Sequence, residues 1–114
     1  MINYDCIFLD RDGTLNPDPG YINSLKDYKF YDFTIPALRL MSKQINQFCI
    51  VTNQSGVGRG LVSIGNLKSI NNFIKKELKR NGITLIDIYM CFDHPDNASN
   101  HRKPGPGMFL DAKV

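Results

Sequence analysis

Near the amino terminus three apolar residues, Ile7-Phe8-Leu9, stop abruptly at Asp10-Arg11-Asp12-Gly13-Thr14. A run this short, β-branched and aromatic, predicts a buried parallel strand over residues 4 to 9. Open α/β sheets gather their chemistry at the carboxyl ends of such strands. Asp10 and Asp12 would then stand at the strand mouth, and Gly13 lets the backbone leave in a tight turn. A carboxylate there can attack phosphorus while its neighbour moves protons. The same residues suit a solvated turn equally well. A calcium loop does not fit, because Asp18 is the sole further carboxylate between positions 14 and 21 and no glutamate closes a twelve-residue loop.

Downstream, Asn16-Pro17-Asp18-Pro19-Gly20 is a turn signal. Tyr28, Phe30, Tyr31 and Phe33 are expected to fold back over the sheet. Leu38, Met41 and Ile45 follow a helical period across Ile35 to Gln44, with Pro36 in the first turn. Phe48-Cys49-Ile50-Val51 predicts a second buried strand, running into Thr52-Asn53-Gln54-Ser55. Gly56 to Gly60 is a flexible loop and not a P-loop, since no Gly-Lys-Ser/Thr follows. Ser63 caps a helix to Arg80 with an apolar stripe of Ile64, Leu67, Ile70, Ile74 and Leu78. Lys68, Lys75, Lys76 and Lys79 form its solvated face, and Asn81-Gly82 ends it. Ile86 to Phe92 is a third strand, Asp93 to Pro106 a polar loop, and Met108 begins another helix. The order βαβαβ predicts one α/β domain over residues 1 to 114, with a parallel sheet and right-handed crossovers.

Composition narrows the function classes. Of 114 residues, 42% are hydrophobic and 22% charged, as in ordinary globular chains. The net charge of +3 is too small, and its lysines too concentrated in residues 68 to 80, to indicate nucleic acid. A phosphorylated small molecule suits such a field better. Met1 to Asp5 carries no signal-peptide pattern and no apolar run reaches membrane-spanning length, so a cytoplasmic place and no membrane partner are expected. The 3 cysteines show no framework spacing. Cys6 and Cys49 are expected as buried thiols and Cys91 as a strand-end thiol.

In a parallel sheet the three strand ends fall on one edge. The first brings Asp10 and Asp12. The second brings Thr52, whose hydroxyl can donate to a phosphoryl oxygen, with Asn53 and Ser55. After the third comes Arg102-Lys103-Pro104-Gly105-Pro106-Gly107-Met108. Nucleophile, hydrogen-bond donor and cation together are what phosphoryl transfer requires. Each alone is an ordinary turn or surface residue; their ordered coincidence is specific.

These motifs resemble the haloacid dehalogenase (HAD) superfamily of phosphatases. Within it, Phe8 to Asn16, Gly20-Tyr21-Ile22, Val51 to Gly60 and Arg102 to Met108 are similar to the heptose-bisphosphate and histidinol phosphatase family. Asn53-Gln54-Ser55-Gly56, where the histidinol branch typically has Asn-Gln-Asp-Gly, is closer to the heptose branch. The resemblance implies a Rossmann-like fold, with Asp10 as nucleophile and Asp12 as general acid, then base. It implies Mg²⁺ held by Asp10 and the carbonyl of Asp12, with Thr52 and Lys103 at the phosphoryl group. Asp18, Pro19, Gly20, Tyr21, Asn53, Gln54 and Ser55 would line the substrate site, and Arg102 would recognise substrate. The implied partner is a small phosphorylated sugar, foremost heptose 1,7-bisphosphate, cleaved by a monomer through an aspartyl-phosphate. A histidinol-phosphate phosphatase and an inactive member that binds phosphosugar weakly are the alternatives.

The chain departs from the family pattern twice. Many members bind a structural zinc after the third strand through Cys-x-His and a later Cys-x-Cys. Here Asp93 stands where that histidine is expected after Cys91, His94 follows it, and Ser99-Asn100-His101 replaces the cysteine pair. A structural zinc site wants four ligands, so zinc is not expected. The family also continues beyond Gly107-Met108 with a helix, a fourth strand and an acidic motif that completes the Mg²⁺ site. With the sequence ending at Val114, the expectation is a sheet lacking its C-terminal strands. Its first strand would lie at an edge, Mg²⁺ would bind weakly, and stability and turnover would be low.

Overall fold

The computed structural model describes residues 6–18, 20–93, 99, 101–103 and 105–112. Its elements are β1 (Ile7–Leu9), a 3₁₀ turn (Leu25–Asp27), α1 (Thr34–Ser42), β2 (Phe48–Asn53), α2 (Ser55–Gly58), α3 (Ile64–Arg80), β3 (Leu85–Cys91) and α4 (Gly107–Ala112). The strands form a parallel sheet in the order β1-β2-β3. Ile7 pairs with Phe48 and Leu9 with Ile50. On the other side Phe48 pairs with Leu85 and Cys49 with Asp87, so the register shifts at Ile86. That extra residue is half exposed, as a bulge on an outer strand allows.

β2 is the buried centre, and its side chains alternate between two cores. Phe48 and Ile50 face Leu38 of α1 and Ile70, Ile74 and Leu78 of α3, together with Leu15, Ile22 and Tyr28. Two right-handed crossovers that advance the same way across a sheet put both helices on one face, and α1 and α3 share one core. On the other face Val51 and Cys91 pack against Met108 of α4. Among the described residues β1 lies at the edge of the sheet, as expected for a sheet without further strands beside it, and its side chains are only partly buried rather than fully buried as its apolar run suggests. Phe8 is 42% exposed, touching Phe109 edge-on. The same edge position leaves Cys6 half-buried beside the buried Cys49, with their Sγ atoms 3.3 Å apart. Burial pushes the Cys49 thiol up to about 11.

α3 follows its sequence closely. Ser63 Oγ accepts the N–H of Asn66, satisfying one of the free donors of the first turn. The C-terminus closes through Gly82 N–H to Lys79 O and Ile83 N–H to Leu78 O, with Gly82 at a φ of 74° that favours glycine. Ile64 is the exception to the stripe: it lies exposed in the first turn, while Asn71 is buried and donates to Met90 Sδ. In α1, Leu38 is buried but Met41 is exposed and Ile45 lies beyond the helix end. Of the aromatic stretch, Tyr28 and Phe30 pack inward with Phe73, whereas Tyr31 and Phe33 stack on each other and Phe33 is largely exposed.

Residues 56–58, within the Gly56 to Gly60 stretch expected as loop, make one helical turn together with Ser55, α2. It sits close against its neighbours: a Cβ on Gly58 would collide with the Phe92 carbonyl oxygen, and one on Gly56 with the Tyr21 ring. Small residues are therefore required for this turn to lie at the exit of the sheet. Among the described residues no helix is long and apolar enough to cross a membrane.

Candidate active site

The carboxyl ends of β1 and β2 open into a cleft of about 670 Å³, lined by Asp10, Asp12, Asp18, Thr52, Asn53, Lys103 and Phe109. Asp10 follows β1 directly, and its Oδ1 accepts the Arg11 N–H at 2.9 Å and Lys103 Nζ at 2.7 Å. Oδ2 of Asp10 accepts no hydrogen bond among the described residues, and the side chain is half exposed to the cleft. After Asp10 the chain turns sharply: Leu15 N–H reaches Arg11 O, Gly13 N–H reaches Asn16 O, and Gly13 has a φ of 84°.

That turn sends Arg11 inward, where it is 1% exposed. Its guanidinium grips Asp12 with Nε to Oδ1 at 2.8 Å and Nη2 to Oδ2 at 3.0 Å, the fork geometry that suits arginine to carboxylates. Asn16 Nδ2 donates to Asp12 Oδ1, and Gln54 Nε2 to Asp12 Oδ2. Gln54 also accepts from Arg11 and donates to Thr52 Oγ1 at 2.8 Å. The Thr52 hydroxyl hydrogen thus stays available to a ligand. Beneath the cage, Tyr28 donates to Asn16 Oδ1 and its ring lies 5.6 Å from the Arg11 guanidinium. Burial pushes the Tyr28 hydroxyl well above the ordinary phenol value, so it remains a donor. Arg11 Nη1 has no hydrogen-bond partner among the described residues, and the π face below it is its remaining compensation.

Lys103 comes from the far side of the sheet. Asn53, the last residue of β2, holds its backbone with both amide atoms: Lys103 N–H donates to Asn53 Oδ1 at 2.9 Å, and Asn53 Nδ2 donates to Lys103 O at 3.2 Å. Asn53 therefore reaches the cleft mainly by placing Lys103.

Asp10, Asp12, Asp18, Thr52, Asn53 and Lys103 meet in the cleft as described above. Gly20 donates to Asp18 in an exposed turn, and Pro19 lies outside the described residues. Tyr21 leans on α2 under Arg59 and does not line the cleft. Gln54 is spent on the Asp12 cage, Ser55 is buried at the start of α2, and Arg102 donates to the Asp93 carbonyl. Arg11, Asn16, Tyr28 and Phe109 belong to the site or its support but were not assigned from sequence. The available signal for Arg11 was an arginine between two aspartates at a strand mouth.

Asp10 Oδ2 is a hard oxygen donor at the cleft and Asp12, whose backbone carbonyl has the same chemistry, also lines it; such oxygens are what Mg²⁺ takes, often with one or two carboxylates. The donor set therefore fits such an ion.

Residues 6–113 match the family described as polynucleotide kinase 3 phosphatase. A D-glycero-beta-D-manno-heptose-1,7-bisphosphate 7-phosphatase of Photorhabdus laumondii is 38% identical over 94% of this chain and 61% of its own length. A protein of Thermoplasma volcanium named as a probable enzyme of the same activity is 38% identical over 92% of this chain and 72% of its own. The chain thus spans about three-fifths of the first of these relatives. The crystal structure of D,D-heptose 1,7-bisphosphate phosphatase from B. bronchiseptica, complexed with magnesium and phosphate, superposes with a TM-score of 0.85 at 31% identity, over 96% of this chain and 62% of that one. A Mesorhizobium loti protein described as HAD-like superposes with a TM-score of 0.82 at 28% identity, over 94% of this chain and 55% of that one. With a family match along nearly its whole length on a sheet that those solved structures share, the chain belongs to the polynucleotide kinase 3 phosphatase family of HAD-like phosphatases.

Proposed function

We propose that the cleft removes a phosphoryl group from a small phosphorylated sugar, with heptose 1,7-bisphosphate the substrate its relatives' names suggest. The 2.7 Å contact of Lys103 Nζ with Asp10 Oδ1, across 93 residues, carries this reading. Asp10 attacks phosphorus, forming a new phosphorus–oxygen bond as the bond to the sugar oxygen breaks, and Asp12 gives that oxygen a proton, which requires one Asp12 oxygen to leave its Arg11, Asn16 or Gln54 donor on substrate binding. Asp12 then takes a proton from water, whose oxygen attacks phosphorus; Asp10 is released as carboxylate with inorganic phosphate. Lys103 and the Thr52 hydroxyl offset the charge on the phosphoryl oxygens. Mg²⁺ bound to Asp10 and the Asp12 carbonyl would supply positive charge between carboxylate and phosphate.

A polynucleotide suits the cleft less well. Three of its charged lining residues are aspartates and Lys103 is the one cation among those described, whereas a nucleic-acid track needs several cations. Heptose 1,7-bisphosphate incubated with the chain and Mg²⁺ should lose its 7-phosphate ³¹P resonance and keep the 1-phosphate. Absent release, or faster release from histidinol phosphate or a 3′-phosphorylated oligonucleotide, would sink the substrate assignment.

Two substitutions separate the roles. Asp12→Asn should lower kcat by about 10²- to 10⁴-fold, the usual general acid–base contribution, measured where the variant is still fully folded, because it also leaves the buried Arg11 guanidinium without its carboxylate and should lower the urea midpoint. Asn53→Asp keeps the acceptor for Lys103 N–H but sets an oxygen against Lys103 O. Displacing a charge by about 1 Å costs on the order of 10²-fold, so steady-state kinetics should show kcat falling with little change in KM.

A further inference from the structure

The four positions where the family resemblance would place zinc ligands are Cys91, Asp93, Ser99 and His101, and in this chain they hold a hydrogen-bonded arrangement. Asp93 Oδ2 accepts both the backbone N–H and the hydroxyl of Ser99. Ser99 Oγ in turn accepts the N–H of His101, and Ser99 O accepts the N–H of Arg102. The Arg102 guanidinium returns to Asp93 O at 3.0 Å, and Gly105 N–H closes on Arg102 O. The His101 ring turns away, with Nε2 2.8 Å from Asp111 Oδ2 on α4.

Among the described residues, which do not include His94, this donor set does not fit zinc. Serine is not a structural zinc ligand, the Asp93 oxygen faces two donors, and His101 is engaged elsewhere. Ser99 holds the Asp93 carboxyl below the usual carboxylate range, so the acceptor stays charged at neutral pH.

We propose that Asp93 and Ser99 form a metal-independent clip that positions Lys103 against Asp10. The inference rests on the reading of Lys103 as the charge that offsets the phosphoryl group. Lys103 is held from two sides: Asn53 grips its backbone from the end of β2, and the clip fixes the turn immediately before it to the exit of β3. Asp93 and Ser99 are positioning residues, since neither lines the cleft.

The test needs no turnover, so its failure is distinct from failure of the substrate assignment. The lysine ¹³Cε resonance of Lys103 is assigned with Lys103→Arg, and its response to Asp10→Asn is recorded in the whole chain. In the wild-type background that response should be present; in Asp93→Ala and Ser99→Ala it should be lost, with the resonance moving to the position of solvent lysines. Ser99→Thr, which keeps hydroxyl and N–H, should restore it. Both residues belong to an exposed set of hydrogen bonds, so cooperative thermal unfolding should persist in every variant. Elemental analysis should find no stoichiometric zinc, and a zinc chelator should leave the Lys103 resonance unmoved. Retained Lys103 coupling in both alanine variants, or bound zinc whose removal uncouples Lys103, would overturn the clip.

Discussion

Asp10→Asn should lower phosphatase activity by roughly 10⁴-fold or more, the scale on which loss of an enzyme's nucleophile falls. The substitution is nearly isosteric, and its side-chain oxygen can still accept the Arg11 N–H, so the turn after β1 should survive. What disappears is chemistry. An amide is a poor nucleophile, a poor Mg²⁺ ligand and an uncharged partner for Lys103. Activity within tenfold of wild type, with unchanged thermal unfolding, would remove Asp10 from the role.

Arg11→Met should act on stability first. Arg11 is 1% exposed and donates to both oxygens of Asp12 and to Gln54. Removing one partner of a buried ion pair costs about 3–5 kcal/mol, because the remaining charge is left uncompensated. Asp12 is 18% exposed and retains Asn16 and Gln54, which favours the lower end of that range. Small domains have about 5–15 kcal/mol in all, so urea unfolding should show a markedly lower midpoint with a similar slope. Arg11→Lys should fall between the two, since lysine keeps the charge but not the fork. A wild-type midpoint in Arg11→Met would mean that the cage contributes little to holding the turn.

Much of this site was legible because each strand ends where its apolar run meets polar residues. Parallel pairing then brings Asp10, Thr52 and the Lys103 loop to one edge without any detailed knowledge of packing. α3 was equally legible, because Ser63, the repeated apolar positions and Asn81-Gly82 all indicate the same helix. The buried side of the turn was not. Arg11 reads as a spacer and Asn16 as a turn residue until the sharp reversal at Gly13 folds both inward against Asp12 and Tyr28. For Asn53, Gln54 and Ser55, expected to line the substrate site, the sequence likewise did not disclose the contacts that hold them. Successive residues leaving a strand point in different directions, and Gln54 goes to Asp12 while Asn53 goes to the backbone of Lys103. The apolar run of β1 alone suggests full burial, because such a run does not reveal whether a strand has neighbours on both sides; the comparison with the family pattern, which places β1 at an edge, gives the better expectation. Phe109 escaped notice because α4 carries it to the cleft from the opposite face of the sheet.

Borohydride trapping during turnover is the most direct measurement of the proposed chemistry. The chain, Mg²⁺ and heptose 1,7-bisphosphate are mixed, quenched within the first turnover and treated with borohydride, which reduces an acyl phosphate but not a free carboxylate. Peptide mass spectrometry should then find homoserine in place of Asp10, with Asp12 intact and no such product in Asp10→Asn. Phosphate release without any modification at Asp10, or with the modification at Asp12 instead, would contradict a covalent route through Asp10.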